Sequence, residues 1–123
     1  MTNLTAISID DDPMWNLIIK TLCKRLDFVN LECSYTDPFK GAAGIVEINP
    51  DFVFIDVDMP GYTGLQIIET VYSRSKYIVL SSNPDFESKA LALKASAFLR
   101  KPTTIEKLSA AVQKVREEIG TEV

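Results

Sequence analysis

Two hydrophobic rhythms alternate along this chain. A β-rich run at 4–9 and a continuous apolar run at 52–55 read as strands, as do the shorter stretches at 31–35, 77–80 and 97–100. Between them, apolar residues recur at the three- and four-residue spacing of a helix with one buried face. Met14, Ile18, Leu22 and Leu26, with Trp15 and Leu17 nearby, predict a first helix to about residue 26. Phe39, Ala42, Ala43 and Val46 form the expected inward face of a second, to about 47. Leu65, Ile68, Val71 and Tyr72 mark a third, and Phe86, Ala90 and Leu93 a fourth. Ile105, Leu108, Val112, Val115 and Ile119 make the clearest stripe of all.

Punctuation agrees with this division. Pro13, Asp37-Pro38 and Asn83-Pro84 are helix starts, since Asp and Asn cap the first free N–H groups and proline suits the first turn. Thr103 and Glu106 have the spacing of a capping box. Asn49-Pro50 breaks the second helix, and Met59-Pro60-Gly61 turns the chain after the third strand. The run at 52–55 is apolar at every position, as expected of a central strand covered on both faces. Five strands alternating with five helices predict an α/β fold, a parallel sheet with helices on both sides joined by right-handed crossovers. One domain over 1–123 is expected, with a structured core of about 4–119 and a fraying tail at 120–123.

Composition narrows the chemistry. A chain of 123 residues with 46% apolar and 24% charged residues can bury one core as an ordinary globular domain. The net charge of −4 argues against direct nucleic-acid binding. Histidine is absent, which excludes a Ser-His-Asp triad, a His-ligated zinc and a phosphohistidine carrier. Neither a P-loop nor a dinucleotide fingerprint is present. No apolar run reaches the roughly 20 residues of a membrane span, and the N-terminus does not read as a secretory signal. A cytoplasmic protein is expected, with Cys23 and Cys33 as buried thiols.

In a parallel sheet all strand C-termini share one edge, where open α/β folds place their ligand chemistry. This chain puts Asp10-Asp11-Asp12, Asp56, Asp58, Ser81-Ser82 and Lys101 there. Singly, each has an ordinary reading: helix N-termini, loop acids, caps and a solvated lysine. Together they form a crowd of carboxylates that resist ionising side by side, and a divalent cation with hard oxygen ligands, Mg²⁺, relieves that. One carboxylate can then attack phosphorus to give an aspartyl phosphate, with a lysine and a hydroxyl stabilising the phosphoryl oxygens. Asp56 is the candidate nucleophile, Asp10 and Asp11 the metal ligands, Lys101 the cation and Ser81 the hydroxyl.

IDDDP at 9–13, FIDVDMPGYTG at 54–64, LSS at 80–82 and FLRKP at 98–102 resemble the receiver domain of two-component response regulators over nearly the whole chain. Residues 90–115 look most like receivers attached to LytTR-type DNA-binding domains. The resemblance implies a three-layer flavodoxin-like (βα)5 fold with strand order 2-1-3-4-5. It implies phosphorylation of Asp56 by a sensor histidine kinase or phosphotransfer protein, with Mg²⁺ held by Asp10, Asp11, Asp56 and the backbone carbonyl of Asp58. Ser81 and Phe98 match the switch positions, Lys101 the family's lysine, and the Lys101-Pro102 bond is expected to be cis. Output to an attached domain or a partner, or a homodimer, would run through the face made by the fourth helix, fifth strand and fifth helix. Lys94 stands where glycine is common, so a less tightly turned loop is expected there.

The expected function is a phospho-accepting switch that catalyses its own phosphorylation and hydrolysis without being a conventional turnover enzyme. Two other readings compete. Asp56-x-Asp58 superficially resembles the DxD of haloacid-dehalogenase-type phosphatases, though those need more chain and a cap. A phosphorylation-independent interaction module of the same fold is the other.

Overall fold

The computed structural model describes residues 3–121. Five strands, β1 (Leu4–Ile9), β2 (Val29–Tyr35), β3 (Phe52–Asp56), β4 (Lys76–Ser81) and β5 (Ala97–Arg100), alternate with five helices. These are α1 (Pro13–Cys23), α2 (Pro38–Ile48), α3 (Gly64–Thr70), α4 (Glu87–Ala92) and α5 (Ile105–Thr121), with a single 3-10 turn at Pro84–Phe86 leading into α4. All strand pairs are parallel and the order is 2-1-3-4-5, the flavodoxin-like arrangement expected. Among the described residues no helix is long and apolar enough to cross a membrane.

Alternation along β3 divides the interior into two cores. Phe52 and Phe54 point to one face, where Leu4, Ala6, Ile78 and Leu80 join Ile19 and Cys23 of α1 and Leu108, Val112 and Val115 of α5. Val53 and Ile55 point to the other, against Ile45 of α2, Ile67 of α3 and Ala90 of α4. Every residue of β3 is buried, as its unbroken apolar run requires.

Several helix expectations are corrected. In α2, Phe39 and Val46 lie outward at 61% and 62% exposure and Ala43 is exposed too, whereas Gly41, Gly44 and Ile45 face the sheet. The cause is close approach: a Cβ on Gly41 would meet Ile9 at 2.7 Å, and one on Gly44 would meet Tyr35 at 2.5 Å. In α1, Met14 and Leu17 are exposed while Asn16 is buried, and the helix stops at Cys23 rather than near 26. The third helix ends at Thr70, leaving Tyr72 almost fully exposed beyond it.

Caps and loops carry further differences. The hydroxyl of Thr104, not Thr103, accepts from Lys107 N–H at the start of α5. The reciprocal capping box lies instead at Thr63 and Gln66, opening α3. α5 runs on through Gly120 to Thr121; positions 122–123 of the expected tail lie outside the described residues. Cys33 is exposed on edge strand β2, so only Cys23 is a buried thiol. Lys94 takes a left-handed φ of 66°, so the turn after α4 keeps the tight geometry that glycine would favour.

Candidate functional site

Strand register brings the acids level. Ile9 pairs with Ile55, so Asp10, one residue past β1, stands beside Asp56, the last residue of β3. Ser81 pairs with Arg100, and Lys101 follows, its N–H donating to Ser81 O at 2.9 Å. The Lys101-Pro102 peptide is cis, as expected.

The Lys101 ammonium bridges the two strand ends. It donates to Asp10 Oδ2 at 2.7 Å and to Asp56 Oδ1 at 2.9 Å. Asp10 Oδ1 accepts from Asp12 N–H at 3.0 Å, and Asp12 in turn caps α1 by accepting from Met14 N–H at 2.9 Å. A buried amide fixes the tail of β1: Asn16 Nδ2 donates to the carbonyls of Asp10 (3.1 Å) and Tyr35 (3.0 Å), while its Oδ1 accepts from Ser8 Oγ at 2.9 Å. Carboxylate oxygens of Asp10, Asp11 and Asp56 lie within 4.8 Å of one another. Asp10 and Asp56 are nearly inaccessible, whereas Asp11 is exposed.

Burial with too little compensating charge governs ionisation here. Burial pushes the Asp56 carboxyl up to about 7; the Lys101 hydrogen bond and charge oppose this, and the charges of Asp10 and Asp11 add to it. Asp10 is raised as well, again by burial, against the pull of Lys101 and the Asp12 N–H. Burial alone would lower Lys101, but its hydrogen bonds to Asp10 and Asp56 outweigh that and hold the ammonium above its ordinary value. Two buried carboxylates and an exposed third share a single lysine, leaving a surplus of negative charge. Three convergent carboxylate oxygens are a donor set suited to a hard divalent cation.

An open cleft of about 420 Å³ covers this cluster. Its walls include Asp58, Ser82 and Trp15 beside the acids and Lys101. Ser81 is fully buried and its hydroxyl accepts from Asn83 N–H at 3.0 Å, so the serine in the cleft wall is Ser82. Phe98 does not line this cleft: half-buried on β5, it lines a trough between α4, β5 and α5 together with Arg100, Lys107 and Lys114.

Three contributors escaped sequence reasoning. Asn16 is a lone amide inside the apolar stripe of α1, a signal that was available. Trp15 resembled core, yet its ring centroid lies 4.9 Å from Lys101 Nζ. At Gly64 a Cβ would fall 2.1 Å from Asp56 O, so only glycine lets α3 start directly against the strand end that carries Asp56.

Known proteins resemble the chain in sequence and in fold. The family model described as "Response regulator receiver domain" matches residues 6–113. The DNA-binding transcriptional activator EvgA of Escherichia coli strain K12 is 31% identical over 115 residues, covering 89% of this chain and 56% of the relative. The chain thus spans about half the length of that relative. A LuxR-family DNA-binding response regulator from Staphylococcus aureus superposes with a TM-score of 0.81 at 25% identity, over 91% of this chain and 98% of that one. The REC domain of AraT, a response regulator from Geobacillus stearothermophilus, gives 0.80 at 22% identity over 97% of each. With its four motifs on the strand ends and the family match running from β1 into α5, the chain belongs to the response regulator receiver domain family.

Proposed function

We propose that Asp56 is the phospho-acceptor of a signalling switch, and that residues 1–123 act as a single receiver unit. The observation that carries this is the Lys101 bridge between Asp10 and Asp56, set among carboxylates that one lysine cannot neutralise. The donor is a phosphohistidine on a sensor kinase or phosphotransfer protein. An Asp56 carboxylate oxygen bonds to phosphorus as the P–N bond breaks; the imidazole leaves with the electron pair and takes up a proton. Lys101 remains an ammonium and shifts its hydrogen bond from Asp56 to a phosphoryl oxygen. Mg²⁺, held by Asp10, Asp11, Asp56 and the Asp58 carbonyl, would neutralise charge on the phosphoryl group. Hydrolysis of the acyl phosphate by the same site resets the switch, without turnover of an external substrate.

Ser81 would have to leave Asn83 N–H to reach a phosphoryl oxygen, and that movement links the site to Phe98 and the trough of α4, β5 and α5. Arg100, Lys107 and Lys114 border the trough, a surface suited to an acidic face on an output domain, a partner or a second copy, in the cytoplasm where such kinases present phosphohistidine. The proposal is tested by incubating the protein with Mg²⁺ and a small acyl phosphate and recording its intact mass. One added phosphoryl group is expected, absent in Asp56→Asn and absent in EDTA. Uptake by Asp56→Asn at the wild-type rate, on the same peptide, would overturn the assignment.

A further inference from the structure

Two of the three Lys101 ammonium protons are accounted for by Asp10 Oδ2 and Asp56 Oδ1. The ammonium also lies over the ring of Trp15, 4.9 Å from its centroid, within the ~6 Å at which a ring face attracts a cation. The Lys101 side chain is left only 10% exposed. Trp15 is the chain's one tryptophan and sits in the first turn of α1. Its backbone N–H donates to the Asp12 carbonyl at 3.0 Å, and its neighbour Asn16 is tied to the ends of β1 and β2 by the hydrogen bonds already described. The indole therefore stands on a segment whose rotation about the helix axis is fixed by the same bonds that fix Asp10.

We propose that Trp15 is a positioning residue for Lys101. A lysine on a four-carbon stem at a cleft mouth has other anionic destinations, since Asp11, Asp12 and Asp58 line the same cleft. The ring face holds the ammonium at the Asp10–Asp56 end and shields that side from water. Because the charge on Asp56 moves outward onto phosphoryl oxygens when phosphorus is bound, the ammonium must re-aim without leaving. A ring attracts a cation over its whole face and allows that small movement, where a third carboxylate would compete for it. The inference extends the reading of Asp56 as acceptor, but the lysine contact it rests on can be measured without phosphorylation.

The test pairs a spectroscopic readout with a kinetic one on the full chain, in Trp15→Phe and Trp15→Leu. In ¹⁵N-lysine-labelled protein, the Lys101 ammonium and ε-methylene protons, assigned by their loss in Lys101→Arg, should resonate upfield because of the ring. The upfield shift should persist in Trp15→Phe and vanish in Trp15→Leu. With Mg²⁺ and a small acyl phosphate, Trp15→Leu should lower the maximal phosphorylation rate about fivefold, the factor an ~1 kcal/mol cation–ring contact corresponds to. Donor KM should be unchanged, and Trp15→Phe should recover most of the rate. A Lys101 resonance unmoved in folded Trp15→Leu, or a maximal rate equal to wild type, would overturn the proposal. So would equal slowing in Trp15→Phe and Trp15→Leu. If wild type takes up no phosphoryl group the Asp56 reading fails, and the resonance alone then decides whether Trp15 positions Lys101.

Discussion

Replacing Asp56 by Asn should stabilise the metal-free protein, and by an amount that depends on pH in a defined direction. The fold raises the Asp56 carboxyl from 3.8 to about 7, chiefly by burial. At ~1.36 kcal/mol per pH unit, the ionised carboxylate therefore costs about 4 kcal/mol when fully charged. The folded state binds this proton more tightly than the unfolded chain. The associated stability is thus fully present below about pH 4, declines as pH rises, and is lost once pH passes about 7. Asn carries no charge to bury, and its side-chain oxygen can still accept from Lys101, which keeps Asp10 as a partner. The variant should gain about 2–4 kcal/mol at pH 8 in EDTA and under about 1 kcal/mol at pH 4.

Urea unfolding of both proteins at pH 4, 6 and 8, followed by Trp15 fluorescence and far-UV circular dichroism, reads this difference. Titrating groups away from the Asp56 cluster are common to both chains and cancel in it, and within the cluster the loss of the Asp56 charge acts on Asp10 and Lys101 as well. Mg²⁺ provides an internal check: a ligand bound only by the folded state adds about 2.7 kcal/mol at a hundredfold excess over Kd, and wild type should gain more than the variant. The gap at pH 8 should narrow accordingly. An Asn variant no more stable than wild type at pH 8, or one whose advantage is the same at pH 4, would refute the claim that a buried, undercompensated carboxylate governs this site.

Two further outcomes test what surrounds the acids. Asn16→Leu removes the amide that donates to the Asp10 carbonyl and accepts from Ser8; a loss of about 2–3 kcal/mol in urea unfolding is expected from the stranded buried groups, together with weaker Mg²⁺ binding, and a loss under about 0.5 kcal/mol would contradict it. Gly64→Ala puts a Cβ 2.1 Å from the Asp56 carbonyl oxygen; backbone must move, so a loss of about 3 kcal/mol or more is expected, and a near-neutral variant would show that α3 can slide away from β3 freely.

Sequence and structure agree where burial alone sets the pattern, and part where backbone contact does. β3 was legible because a strand between two helix layers has every position buried, and its short β-rich run ends at turn residues. The acids and Lys101 could be gathered on paper because parallel strands end at one edge, whatever the helices do. Helix phase is another matter. In α2 the side facing the sheet carries Gly41 and Gly44, chosen for what they lack, since Ile9 and Tyr35 already fill that space. Hydrophobicity cannot register a missing side chain, so the apolar residues Phe39 and Val46 drew the inward face to the wrong side of the helix. In α1 one of the three buried positions is an amide, Asn16, which donates to the carbonyls of Asp10 and Tyr35 where a methyl group could not. Ser81 and Ser82 differ only in which hydroxyl the β4–α4 turn claims, and Asn83 N–H claims Ser81.

Asn16, Gly64 and Trp15 share a property: each is fixed by a partner far along the chain or by a shape that only the folded backbone has. They are also the ones that aim the site. Asn16 holds the strand end bearing Asp10, Gly64 admits α3 against the strand end bearing Asp56, and Trp15 lies under the lysine that joins the two. A motif can name candidate reacting groups because their chemistry restricts residue type. Their support is restricted only by local geometry, which many residue types can meet in other chains, so it must be read from the fold. Substitutions at Asp56 and Lys101 should therefore change what the site can do, and substitutions at Trp15, Asn16 and Gly64 how well it does it.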